Sequence, residues 1–159
     1  MRFAAINKND FINGEGVSVS FWTQGCPHKC KGCHNPETWS FFQGQEKEIY
    51  EVTKEIIAAI SENNIQRNFS VLGGEPLCNQ NVLEVVEILT NVKRAFPNIK
   101  TFVWTGYTRE ELENKYAFEW IVKDIDVLIT GRYIQELRDI TLKWRGSSNQ
   151  EILYKGIDY

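Results

Sequence analysis

The chain has 159 residues, 42% of them hydrophobic and 25% charged, with a formal net charge of -3 at pH 7. That length suits one domain spanning residues 1–159, and the composition is that of a folded globular chain rather than a disordered one. The acidic balance argues against a nucleic-acid surface, and the longest aliphatic run, Ile56 to Ile60, is far shorter than the roughly 18 to 20 residues of a membrane span. The amino terminus also lacks the basic-then-apolar pattern of a secretory signal. A cytoplasmic setting follows as the expectation, with neither nucleic acid nor membrane as partner. Thiols stay reduced there, so the four cysteines point to metal or redox chemistry before disulfides.

Strand-then-helix units follow one another along the chain. Val17 to Thr23 is β-branched and aromatic and is predicted as a buried strand. After a long cysteine-bearing loop, Ile49, Val52, Ile56 and Ile60 recur at helical spacing and predict a helix from about Glu48 to Glu62. Phe69 to Leu72 is a short second strand running into Gly73-Gly74. Val82, Val86, Leu89 and Val92 mark a second amphipathic helix, stopped near Pro97. Lys100 to Trp104 is a third strand, and Thr108 with Glu111 has the capping-box spacing that starts a third helix. Asp126 to Thr130 is a fourth strand ending at Gly131, and Glu151 to Tyr154 a last one. Such alternation implies α/β architecture with a parallel sheet. The segments TQGC, GGEP, WTGY and TGRY each stand at the carboxyl end of a predicted strand, the edge where α/β sheets and barrels bind ligands. A complete barrel needs about 200 residues or more, so the expected fold is a partial parallel (β/α) barrel, open at one side.

The loop from Gly25 to His34 carries three cysteines as C-x3-C-x2-C: Cys26, Cys30 and Cys33. Thiolates are the natural ligands of iron–sulfur clusters. Three of them on one loop hold three irons of a cubane and leave the fourth iron free for a substrate. Two other readings stay open at this point. A zinc site could add His28 or His34 to the three thiolates, and an electron-transfer cluster could use Cys78 as a fourth. As a lone cysteine near a helix start, Cys78 otherwise reads as a small buried apolar residue. At Gly73 to Pro76 the two glycines allow positive φ and close approach to a ligand, and Glu75 supplies a carboxylate suited to an ammonium group. Taken alone, the same four residues also read as a tight turn with Pro76 in the first turn of a helix.

C-x3-C-x2-C followed at this separation by Gly73-Gly74-Glu75-Pro76 resembles the radical S-adenosylmethionine superfamily. Asp10 to Gly16, Trp104 to Tyr107, Asp126 to Tyr133 and Leu142 to Gln150 narrow the resemblance to the activating proteins of anaerobic ribonucleoside-triphosphate reductases, over nearly the whole chain. The resemblance implies a 4Fe–4S cluster on Cys26, Cys30 and Cys33, whose open iron is chelated by the amino and carboxylate groups of S-adenosylmethionine. It also implies that Gly73, Gly74 and Glu75 lie at the amino group of that cofactor, and that the backbone of Gly32, Cys33 and His34 lies against its adenine. Most members of the superfamily have an aromatic residue where this chain has Gly32. The implied activity is reductive cleavage of S-adenosylmethionine with formation of a glycyl radical on the reductase catalytic subunit, fed by a reductant protein such as flavodoxin. Two alternatives are a radical enzyme acting on a small molecule, such as a deazaguanine synthase, and a zinc or ferredoxin-like binding module. The residues by themselves assign no task to the segment from Trp144 to Gln150.

Overall fold

A computed structural model describes all 159 residues. Seven strands form one open sheet: β1 (Arg2–Asp10), β2 (Ser18–Thr23), β3 (Gln45–Glu46), β4 (Asn68–Gly73), β5 (Thr101–Trp104), β6 (Val127–Thr130) and β7 (Glu151–Tyr154). Their order is β3-β1-β2-β4-β5-β6-β7. The four central strands β2, β4, β5 and β6 run parallel, as the strand–helix alternation implied. The sheet is nonetheless mixed, because β1, β3 and β7 pair antiparallel with their neighbours.

Four helices connect the strands: α1 (Ile49–Ser61), α2 (Val82–Ala95), α3 (Arg109–Lys115) and α4 (Phe118–Val122). They lie on one face, because strand side chains alternate sides and the inner set is shared with the helices. Val19, Phe21, Phe69, Val71, Val103 and Leu128 pack in one cluster with Val52 and Ile56 of α1, Val85 and Leu89 of α2, Leu112 of α3 and Ile121 of α4. Each such side chain, fully removed from water, contributes about 1.5–3 kcal/mol. The opposite face carries a small second cluster, Phe102, Val127 and Ile129, with Trp104, Trp144 and Ile152 against it. The loop after β1 also covers this face: a β-carbon on Gly14 would stand 2.8 Å from Ser18 Oγ and 3.0 Å from Ser70 Oγ.

Helix starts follow local chemistry where it is strong. Thr108 and Glu111 make both halves of the capping box at α3. Asn81 precedes α2 but does not cap it; its side-chain amide donates instead to the carbonyls of Gln24 and Glu75, at 3.1 and 3.0 Å. A residue type that favours caps is thereby turned toward the strand ends. No helix is long and apolar enough to cross a membrane.

Candidate active site

The ends of β2 and β4 bring the cysteine loop and the Gly-Gly-Glu turn into direct contact. The Glu75 amide donates to the Gly25 carbonyl at 2.8 Å, and the Gly74 amide to the Thr23 carbonyl at 2.9 Å. Gly74 must lack a side chain for this to occur: a β-carbon there would stand 2.4 Å from the Gly25 carbonyl oxygen and 3.0 Å from that of Thr38. The close approach that sequence reasoning assigned to a ligand is thus made in the structure by the base of the cysteine loop. Thr38 and Trp39, beside a short 3-10 turn (Pro36–Thr38), accept from the amides of Gly25 and Cys26 at 2.8 and 3.1 Å and hold the loop's first residues.

Cys26 is buried, Cys30 and Cys33 are half-buried, and none of the four cysteines forms a disulfide. Burial pushes the Cys26 thiol up to about 11, with the Glu75 charge adding to the effect against backbone amides that lower it. Burial likewise raises Cys30, opposed by the backbone amide of Tyr133. The Cys33 sulfur accepts from the Asn35 amide at 3.4 Å. Cys78 is fully enclosed, and burial followed by the Glu75 charge brings its thiol to about 11. No three His, Cys, Asp or Glu side chains converge on one point in the manner of single-ion ligands. The donor set suits a cluster instead: three reduced thiols on one loop, two of them reachable from solvent, with the Asn35 amide directed at the Cys33 sulfur.

Glu75 is only 1% exposed and all its acceptor positions are filled. Oε1 accepts from the Leu77 amide at 2.9 Å and from Thr105 Oγ1 at 2.7 Å. Oε2 accepts from the Gly106 amide at 2.6 Å and meets His28 Nε2 at 2.9 Å. Arg132 Nε lies 3.2 Å from His28 Nδ1. A guanidinium has no lone pair to offer, so Nδ1 is the acceptor and Nε2 carries the proton given to Glu75. Arg132 is bound in turn by both carboxylate oxygens of Glu111, at 3.1 and 2.9 Å. The hydrogen bonding of Arg132 holds the Glu111 carboxyl below its ordinary range. The line Glu111–Arg132–His28–Glu75 therefore joins the start of α3, the end of β6, the cysteine loop and the end of β4. From the sequence, His28 belongs to the cysteine loop as a possible zinc ligand, Arg132 to the TGRY segment at the ligand-binding edge, and Glu111 to a helix cap; no role in one connected line is assigned to any of the three. Only their positions at strand ends and in the cysteine loop could have suggested one.

The chain matches, over residues 12–153, the family model described as a 4Fe-4S single cluster domain. It is 38% identical over 144 residues to the anaerobic ribonucleoside-triphosphate reductase-activating protein of Vibrio cholerae, covering 90% of this chain and 91% of that one. The protein of the same name from Escherichia coli K12 is 36% identical, over 90% of this chain and 92% of its own. That of Enterobacteria phage T4 is 37% identical, over 96% and 93%. The chain belongs to this family of reductase-activating proteins.

Gly32 and His34 complete the sequence-derived set. Gly32 has a φ of +73°, and a β-carbon there would stand 2.8 Å from the Gln135 side chain. In this family member, therefore, Gln135 packs against the position where most of the superfamily has an aromatic residue. The His34 ring lies against that of Tyr133, with centroids 5.3 Å apart. The loop after β6 accordingly faces the second half of the cysteine loop, as β4 and α2 face the first.

Proposed function

We propose that this chain is the activating enzyme of an anaerobic ribonucleoside-triphosphate reductase, with S-adenosylmethionine as cofactor and a glycine of the reductase catalytic subunit as target. One observation carries the reading: in a member of this family, the three-cysteine loop and the Gly-Gly-Glu turn are bonded to each other at one sheet edge, through Glu75 to Gly25 and His28 to Glu75. Cys26, Cys30 and Cys33 would hold the 4Fe–4S cluster, and Cys78, sealed in the core, would not. When bound, the cluster supplies the single electron that cleaves the sulfonium of S-adenosylmethionine, so that a hydrogen can be taken from the glycine Cα.

The protein's own residues bind and orient. Gly73 and Gly74 bring the turn's backbone to the site, and the backbone of Gly32 to His34 offers a surface for the adenine. Glu75 would meet the cofactor's ammonium by exchanging one of its present donors, since its acceptor positions are filled. The four parallel strands with helices on one face would form the wall of a partial barrel, whose gap suits a peptide loop presented by a partner. A flavodoxin-type protein is the proposed electron donor.

The test is electron paramagnetic resonance on the reduced, anaerobic protein mixed with S-adenosylmethionine and the reductase. A carbon-centred radical is expected on the reductase, with splitting simplified by glycine deuterated at Cα and with deuterium recovered in 5′-deoxyadenosine. Turnover of a small metabolite with no label in the nucleoside would replace this reading with that of a small-molecule radical enzyme.

A further inference from the structure

The segment Trp144 to Gln150 is anchored at one end and directed, at the other, to the stretch Gly131 to Ile134 that follows β6. Gln150 Nε2 donates to the Gly131 carbonyl and Asn149 Nδ2 to the Arg132 carbonyl, each at 2.9 Å. Ser147, fully buried, accepts at Oγ from the Ile134 amide at 3.1 Å. Gln150 Oε1 meanwhile accepts from the amides of Gly146 and Ser147, at 2.8 and 3.1 Å. One side chain thus closes the segment on itself and ties it to the neighbouring stretch. Trp144 anchors the far end: its carbonyl accepts from Trp104 Nε1 at 2.8 Å, and its own Nε1 donates to the Gly14 carbonyl at 3.1 Å.

The stretch after β6 in turn bears on the cysteine loop. Arg132 Nε donates to His28 Nδ1, between Cys26 and Cys30 in sequence. Gln135 packs where a side chain on Gly32 would go, and Glu136 pairs with Lys31 at 3.2 Å on the surface. From Gln24 to Asn35 the loop contains no helix or strand, so contacts of this kind decide where its residues stand.

We infer that Gln150, with Asn149 and Ser147, is a positioning residue for the cluster-bearing loop. Gln150 fixes the carbonyl of Gly131 and Asn149 that of Arg132, which aims the Arg132 guanidinium at His28, and His28 then sets the loop against Glu75. This rests on the proposed role of Cys26, Cys30 and Cys33 as cluster ligands.

The test reads iron release from the anaerobic, cluster-loaded protein to an excess of chelator, without turnover. Gln150→Glu keeps both acceptor bonds to Gly146 and Ser147 but replaces the donor to the Gly131 carbonyl with a carboxylate oxygen. Iron release is expected to quicken about five- to tenfold, the factor set by the loss of one partly buried hydrogen bond. Because the effect passes through Arg132, the same substitution made on an Arg132→Ala background should add less than about twofold to that variant's own rate, as coupled sites do. If Gln150→Glu does not fold, Asn149→Asp, which removes only the bond to the Arg132 carbonyl from an exposed side chain, is measured in its place and should show the same coupling. Unchanged release, or full additivity with Arg132→Ala, overturns the inference. Cys30→Ala is the control for the underlying reading: if it retained iron as the unsubstituted protein does, the ligand assignment would fail, whereas loss of iron there with no effect at Gln150 would sink only the positioning role.

Discussion

The two faces of the site are built by different chemistry. Beneath the sheet, α1 and α2 bury Ile56, Val85, Ile88 and Leu89 against Phe21, Val71 and Val103, side chains fixed by shape and by exclusion of water. At the carboxyl edge, the cysteine loop is held by groups that must each be matched donor to acceptor, from Asn81 and Glu75 on one flank to Arg132 and Gln150 on the other. An apolar core tolerates exchange of residues of similar volume. A buried polar network does not, because one missing partner leaves another group unsatisfied. The scaffold can therefore lose stability without losing the site, and the edge can lose the site without unfolding.

The largest expected effect separates the two regions completely. Cys26→Ala, Cys30→Ala and Cys33→Ala should each leave the anaerobically reconstituted protein without its iron and sulfide while the circular dichroism of the helices persists. Cys78→Ala should keep both; selective loss of the cluster in that variant would make Cys78 a fourth ligand. On the scaffold side, Leu89→Ala removes a fully buried side chain of α2 and should cost about 2–5 kcal/mol of stability by denaturant unfolding. Iron per folded molecule should be unchanged, and a parallel loss of iron would mean that the two regions are coupled. Gly74→Val tests the seam between them. Its new side chain would meet the Gly25 carbonyl, next to Cys26, so iron content should fall together with S-adenosylmethionine affinity measured by calorimetry. Normal iron with weakened affinity would return Gly74 to a role at the ligand.

The smallest effect concerns pH. Arg132 holds the Glu111 carboxyl below its ordinary value of 4.5, so the stabilisation is present above that value and is lost as the pH falls through the lowered one. Both side chains are more than a third exposed, so the pair is worth no more than about 1 kcal/mol. Thermal melts of Glu111→Gln and the unsubstituted protein should differ at pH 7 and converge as the pH falls through the lowered value, well below 4.5. A difference that persists in acid would assign it to the capping role of Glu111 at α3 rather than to Arg132.

What the sequence disclosed follows the same division. α1 and α2 are legible because their apolar residues repeat at helical spacing, β2, β4, β5, β6 and β7 as short runs rich in β-branched and aromatic residues, and α3 because Thr108 and Glu111 are spaced for a capping box. β1 is not legible: its register with β2 is interrupted between Phe3 and Ala5 and again between Asn7 and Asp10, which breaks the two-residue alternation. β3 has two residues and α4 five, too few for a period to show. The cysteines and the Gly-Gly-Glu turn stand out by composition. His28, Arg132, Glu111 and Gln150 each fall in a segment the sequence marks, but the bonds Glu111–Arg132, Arg132–His28 and Gln150–Gly131 are not legible, because they join different loops and a polar residue facing solvent reads the same as one facing another loop.

The contact between Arg132 and His28 joins residues 104 positions apart, and the bonds from Gln150 reach back to a stretch that itself follows β6. Contacts across so long an interval carry a large loop-closure cost and are made after nearer ones have reduced it. During synthesis the three thiols emerge early, followed by Thr38, Trp39 and Glu75, while the Arg132 side of the clamp is complete only once Gln150 has left the ribosome. Loading of iron into a fully positioned loop is on this account a post-translational event, and a truncated or stalled chain would present its cysteines on an incompletely clamped loop.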